Sequence, residues 1–171
     1  MREKTVTISF RISETAFKAL QEDARHHNVS INTLANQLFV SYADYDRYLS
    51  KFHMIKLSAP TFKRILNSST ESAISEAGTA AGASLPVSFI LAQKGEYSLA
   101  NAIDYLRTMG THANLFDYTE TTASGTTSIT LTHDLGELGS VFLAKYVEAI
   151  LKPLGTNVKI VKYPDAISIK I

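Results

Sequence analysis

Residues Thr5–Asp46, TVTISFRISETAFKALQEDARHHNVSINTLANQLFVSYADYD, read as one short strand followed by two short helices, and the fold class turns on that order. Val6, Ile8, Phe10 and Ile12 alternate with Thr5, Thr7, Ser9 and Arg11, the period-two pattern of a strand with one buried face. Helical patterns follow at once, so the backbone groups of this strand need another chain or a distant strand. Pairing with a second copy across a two-fold axis gives an antiparallel ribbon. One face of it carries Thr7, Ser9 and Arg11 from each chain, and its width fits the DNA major groove. The helices supply apolar stripes, Phe17, Leu20 and Ala24 on the first and Ile31, Leu34, Leu38, Tyr42 and Tyr45 on the second. Four stripes from two chains make one core, whereas one chain alone offers too little.

The helix ends are legible as well. Ser13 and Ser30 suit N-caps, and Asn28 tolerates the left-handed backbone that closes a helix. Free N–H groups at Ile31, Asn32 and Thr33, with the positive end of the helix dipole, attract an anion. Strand, cap, helix, turn and second helix together resemble the ribbon-helix-helix regulators of the Arc, MetJ and CopG kind, over about the first quarter of the chain. The resemblance implies an intertwined dimer in which Thr7, Ser9 and Arg11 read bases. It further implies that the second helix start, at Ser30, Ile31, Asn32 and Thr33, meets a phosphate, and Lys4 in the basic ribbon is expected to do the same. Many members open the first helix with proline or an acidic pair and close it with glycine; here Ser13 and Asn28 hold those places.

With 171 residues and 45% apolar content the chain can bury a core, and no run reads as long enough to cross a bilayer. The start MREKTVT lacks a following apolar stretch, so a cytoplasmic location is expected. There are no cysteines, which removes disulfides and thiolate metal sites. The net charge is +1, and residues 57–171 hold nine basic against ten acidic side chains, so phosphate attraction is expected at Arg2, Lys4 and Arg11.

Beyond the first domain, placed at residues 1–50, the rhythm of RYLSKFHMIKL continues helically to Leu57, and Pro60 suits the first turn of a new helix. The second domain is placed at 58–171. Its small-residue stretch 67–84 suits either a linker or a helix over Thr70–Ala81, with the helix preferred. An apolar run from Pro86 to Gln93 follows, then a helix over Ser98–Met109 stopped by Gly110. Ala113–Thr121 and Thr126–His133 form a hairpin, Leu138–Leu151 a helix, and Asn157–Tyr163 with Ala166–Ile171 a second hairpin. The expected fold class is α+β, a ribbon-helix-helix unit followed by a helical segment and a four-stranded, mostly antiparallel sheet.

A ribbon-helix-helix domain joined to a folded C-terminal domain is also similar to the nickel-responsive regulators. Those use a close His-x-His pair and a cysteine, and this chain has neither; His53, His112 and His133 are scattered, so no metal or other cofactor is expected. No phosphate loop, nucleophile elbow or paired carboxylates support an enzyme, and His133 beside Asp134 reads as structural because strand neighbours face opposite ways. The expectation is a dimeric, sequence-specific transcriptional regulator that binds double-stranded DNA, forms a homodimer or higher oligomer, and carries a ligand- or protein-binding C-terminal domain. The alternative is a protein-interaction adaptor, antitoxin-like or partition-type, whose C-terminal domain grips a partner protein.

Overall fold

The computed structural model describes residues 5–9, 11–52, 54–123, 125–156 and 158–171; Arg2, Lys4, Phe10 and His53 lie outside the described residues. Two compact units divide the chain between Ala43 and Asp44.

In the first unit two helices follow one another, α1 at Glu14–His26 and α2 at Ile31–Ser41. Both expected caps form, with Ser13 Oγ accepting from the Ala16 N–H at 3.2 Å and Ser30 Oγ from the Thr33 N–H at 3.0 Å. Asn28 takes the left-handed backbone, φ 54°, that turns the chain between them. The expected strand is a correction: residues 5–9 and 11–13 carry no strand, and the first strand among the described residues begins at Asp117. A strand exists only through its ladder, and this segment pairs with no strand among the described residues.

The second helix pattern continues through a π-helical turn, Tyr42–Asp46, into a short α3, Arg47–Leu49. Residues 54–58 are then without secondary structure, so the helical rhythm read as far as Leu57 stops early. Tyr45 and Tyr48 are buried in the second unit, where their rings and that of Tyr105 lie 5.3–6.1 Å from the ring of Phe89.

Helices α4 (Ala59–Asn67), α5 (Glu71–Lys94), α6 (Leu99–His112) and α7 (Glu137–Leu151) pack with a four-stranded antiparallel sheet. Its strands are β1 (Asp117–Ala123), β2 (Thr126–Thr132), β3 (Lys159–Tyr163) and β4 (Ala166–Lys170), in the order β1-β2-β4-β3. The hairpin, helix, hairpin order read for this region forms, with the first strand beginning at Asp117 rather than Ala113. Ile129, Leu131, Ile167 and Ile169 point inward, paired Ile129 with Ile169 and Leu131 with Ile167. They meet α7, whose Leu143, Val147, Ile150 and Leu151 are fully buried.

Two helix expectations change. The helix read over Thr70–Ala81 and the separate apolar run after Pro86 are one element, α5, with Pro86 buried inside it. Proline interrupts a helix by losing one hydrogen bond and crowding the carbonyl four residues back, and here that residue is Gly82. Packing outweighs the loss, since Ile74, Gly78, Gly82, Phe89 and Ile90 are all buried. By length and composition α5 could also cross a bilayer, which the sequence reading missed by splitting it. The second change is at Gly110, which lies within α6 rather than stopping it. The helix ends at His112, and a methyl added at Gly110 would sit 2.7 Å from Tyr118 Cβ, so this glycine makes room for β1.

Close approach of α5 to α7 depends on two glycines one turn apart. A Cβ at Gly78 would lie 2.5 Å from the Phe142 carbonyl oxygen, and one at Gly82 2.2 Å from that of Tyr146. Gly82→Ala gains about 0.5–1 kcal/mol in intrinsic helix preference, yet we expect it to destabilise by about 1–3 kcal/mol because the clash is with backbone. Urea denaturation measures this; the exposed Ala83→Gln, one residue on, is expected to stay within about 0.5 kcal/mol of the parent. A Gly82→Ala protein as stable as the parent refutes the close-approach account.

Candidate nucleic-acid interface

Thr7, Ser9 and Arg11 are exposed, and none of their side chains is engaged by another group among the described residues. Their segment has no strand partner among the described residues, so one chain does not assemble the three into a reading surface. Lys4 lies outside the described residues.

At the start of α2 the geometry departs from the expectation in one respect. The Thr33 N–H is taken by Ser30 Oγ, and the two hydroxyls sit 2.8 Å apart. The first intrahelical bond runs from the Leu34 N–H to the Ser30 carbonyl at 3.0 Å. Thr33 is therefore part of the cap and does not offer its amide to an anion. Ile31 and Asn32 keep outward N–H groups that donate to nothing among the described residues, at the positive end of the helix dipole.

The apolar surface around these groups is the larger anomaly. Ala24 is the one buried residue among the described residues of this unit, and α2 has none. Val6 is 79% exposed, Ile8 67% and Leu38 51%, with Ile12, Phe17, Phe39, Val40 and Tyr42 exposed as well. Such a concentration of exposed apolar side chains in one small unit is uncommon on a free surface.

In the second unit the histidines have separate duties. His112 stacks on Tyr45, ring centroids 5.8 Å apart. His133 is buried where β2 ends and α7 begins. Its Nδ1 accepts from the Leu135 N–H at 3.1 Å, so the ring proton belongs on Nε2, which lies 3.0 Å from Ser140 Oγ. Ser140 Oγ donates in turn to the Tyr163 carbonyl at 2.5 Å. A serine beside a histidine has the parts of a nucleophile and base. Here the near nitrogen is already protonated and Ser140 is 2% exposed, so the pair works as a staple joining β2, α7 and the β3–β4 turn. Gly136 N–H to Asp165 Oδ1 at 2.8 Å and Lys63 Nζ to the Asp134 carbonyl at 2.9 Å tie the same corner. The sequence reading placed His133 as structural and missed Ser140. The available signal was a hydroxyl set between apolar neighbours, Gly139 and Val141, on a buried helix.

A groove of about 320 Å³ lies between α5, α7 and β3, with Val141, Ala144 and Ile160 on its floor. Its rim charges are paired, Lys145 with Glu148 along α7 at 2.7 Å and Lys162 of β3 with Glu71 of α5 at 3.8 Å. No family model matches this chain, and no curated protein or solved structure does.

Burial lowers the pKa of His133; the Asp165 and Asp134 carboxylates oppose this shift and Lys63 adds to it. The folded state holds the neutral ring, so below the ordinary value of 6.5 the unfolded chain binds the extra proton. Stability is expected to be full above pH 6.5 and to fall as the pH drops through 6.5 toward the depressed folded value. His133→Gln should flatten that stretch of a urea-midpoint titration; an equal slope in both proteins removes His133 as the cause.

Proposed function

We propose that this chain is a homodimeric, sequence-specific DNA-binding regulator of the ribbon-helix-helix type. Residues 5–12 of two copies pair as an antiparallel ribbon, and α1 and α2 of both copies enclose one shared core. One observation carries this reading: a unit of two well-capped helices buries a single described side chain and exposes the apolar faces of its segment and its second helix. Helices of 13 and 11 residues are marginal alone, and the unit Met1–Ala43 is close to the lower size limit, about 40 residues, at which a chain makes a stable core without disulfides, metal or oligomerisation. A second copy supplies the missing half at no cost in new sequence.

Pairing turns Val6, Ile8 and Ile12 inward, and the alternation then turns Thr7, Ser9 and Arg11 outward. Arg11 is suited to guanine, whose O6 and N7 accept a bidentate pair, while the hydroxyls accept several bases. Ile31 and Asn32 N–H groups, with the dipole of α2, hold a phosphate and set the register. Thr33 serves by fixing the cap that aims them.

Sedimentation at micromolar concentration should return a dimer, and Leu38→Glu should shift it to monomer. Arg11→Ala should lose about 1–3 kcal/mol of binding to a selected duplex and relax preference at one base pair. A monomeric parent protein refutes the intertwined core. A dimer that binds no duplex at low salt assigns the same core to an adaptor instead.

A further inference from the structure

The outer face of the four-stranded sheet sorts charge in a way that the residue count conceals. Register places Thr121, Ser128, Lys170 and Lys159 in one row across all four strands, and Thr119, Thr130, Ser168 and Val161 in the next. The neighbouring positions Ile129, Leu131, Ile167 and Ile169 are buried on the opposite face, so both rows point away from the helices. The five hydroxyls in these rows are bonded to no side chain or backbone group among the described residues, and the acids of the unit lie elsewhere apart from Asp117 at one corner.

Lys159 and Lys170 are direct cross-strand partners and both are exposed. Like charges facing each other across a ladder destabilise it. A lysine on the edge strand β3 discourages unwanted strand pairing, which accounts for Lys159. Lys170 stands on β4, an interior strand, and has no such duty. A like-charge pair beside a field of unused hydroxyl donors is complementary to phosphate, which needs both kinds of donor and relieves the repulsion.

We propose that this sheet face is a second, sequence-independent contact for the phosphodiester backbone of a nucleic acid. It stands independently of the N-terminal reading, since every residue in it belongs to the second unit. A protein partner is disfavoured because, Val161 apart, these rows consist of hydroxyls and lysines and supply no aromatic or large apolar anchor. A bilayer is disfavoured because these rows present no large apolar side chain beyond Val161.

The test uses the full chain and a labelled random-sequence duplex, followed by fluorescence anisotropy across salt concentrations. Lys159→Glu should weaken binding roughly ten-fold and reduce the slope of log affinity against log salt by about one. The same change converts a repulsive cross-strand pair into an attractive one, so the melting temperature should hold or rise. Lys170→Gln should weaken binding in the same direction without introducing a negative charge. Arg11→Ala should weaken binding to a selected duplex more than to random sequence, whereas Lys159→Glu should weaken both by the same factor, which separates the two surfaces. Binding by both lysine variants equal to the parent overturns the proposal. So does a parent that binds no duplex at low salt, or lysine dependence seen only with anionic phospholipid vesicles.

Discussion

The second unit is arranged around α7, most of whose side chains are buried. Helix α7 has α5 against one flank, close enough that the carbonyls of Phe142 and Tyr146 occupy the space where side chains at Gly78 and Gly82 would be. Its other flank lies on the sheet through Leu143, Val147 and Ile150 against Ile129, Leu131, Ile167 and Ile169. Interiors at this density tolerate little displacement. The direction of α7 thus decides which face of each strand is apolar. The His133–Ser140–Tyr163 chain of hydrogen bonds fixes where α7 starts relative to the second hairpin, so the register of the sheet and the position of the helix are one constraint.

The first unit obeys a different balance. Ordering its helices costs on the order of 1–2 kcal/mol per residue in backbone entropy, and one buried alanine returns almost nothing against that. Local devices, two serine caps and an asparagine turn, shape the helices without supplying a core. In the proposed dimer that burial comes from a second copy of the same segment, whose apolar pattern matches by construction. The specificity of the proposed reading face follows from the same alternation, because each residue turned into the shared core turns its neighbour out.

What the sequence disclosed divides along the same line. Caps and turns are local, and Ser13, Asn28 and Ser30 were readable because each acts within three or four residues of itself. Hairpins and the buried helix were readable because alternation and breakers bound them: β2, β4 and α7 fall within a residue or two of their expected limits. Misreadings arose where tertiary packing overrode a local rule. Pro86 and Gly110 both look like stops, yet α5 and α6 run through them, since burial on α7 and room for Tyr118 outweigh local preference. The candidate site was half legible: residue types and polarity were visible, but strand formation needs a partner, and the engagement of the Thr33 amide depends on a side-chain rotamer that spacing does not specify.

Charge shows why composition under-describes such a chain. Nine basic and ten acidic side chains beyond residue 56 sum to near neutrality, which argues against a polyanion ligand only if the charges are mixed in space. Topology unmixes them. Arg107 with Glu120, Lys145 with Glu148 and Lys94 with Asp104 are spent on one another, while Lys159 and Lys170 meet across a ladder with no acid beside them in the register. A field at short range depends on which charges remain unpaired on a given face, because salt screens the rest within about 10 Å. Two lysines left facing each other therefore weigh more at that surface than the neutral sum of the whole domain.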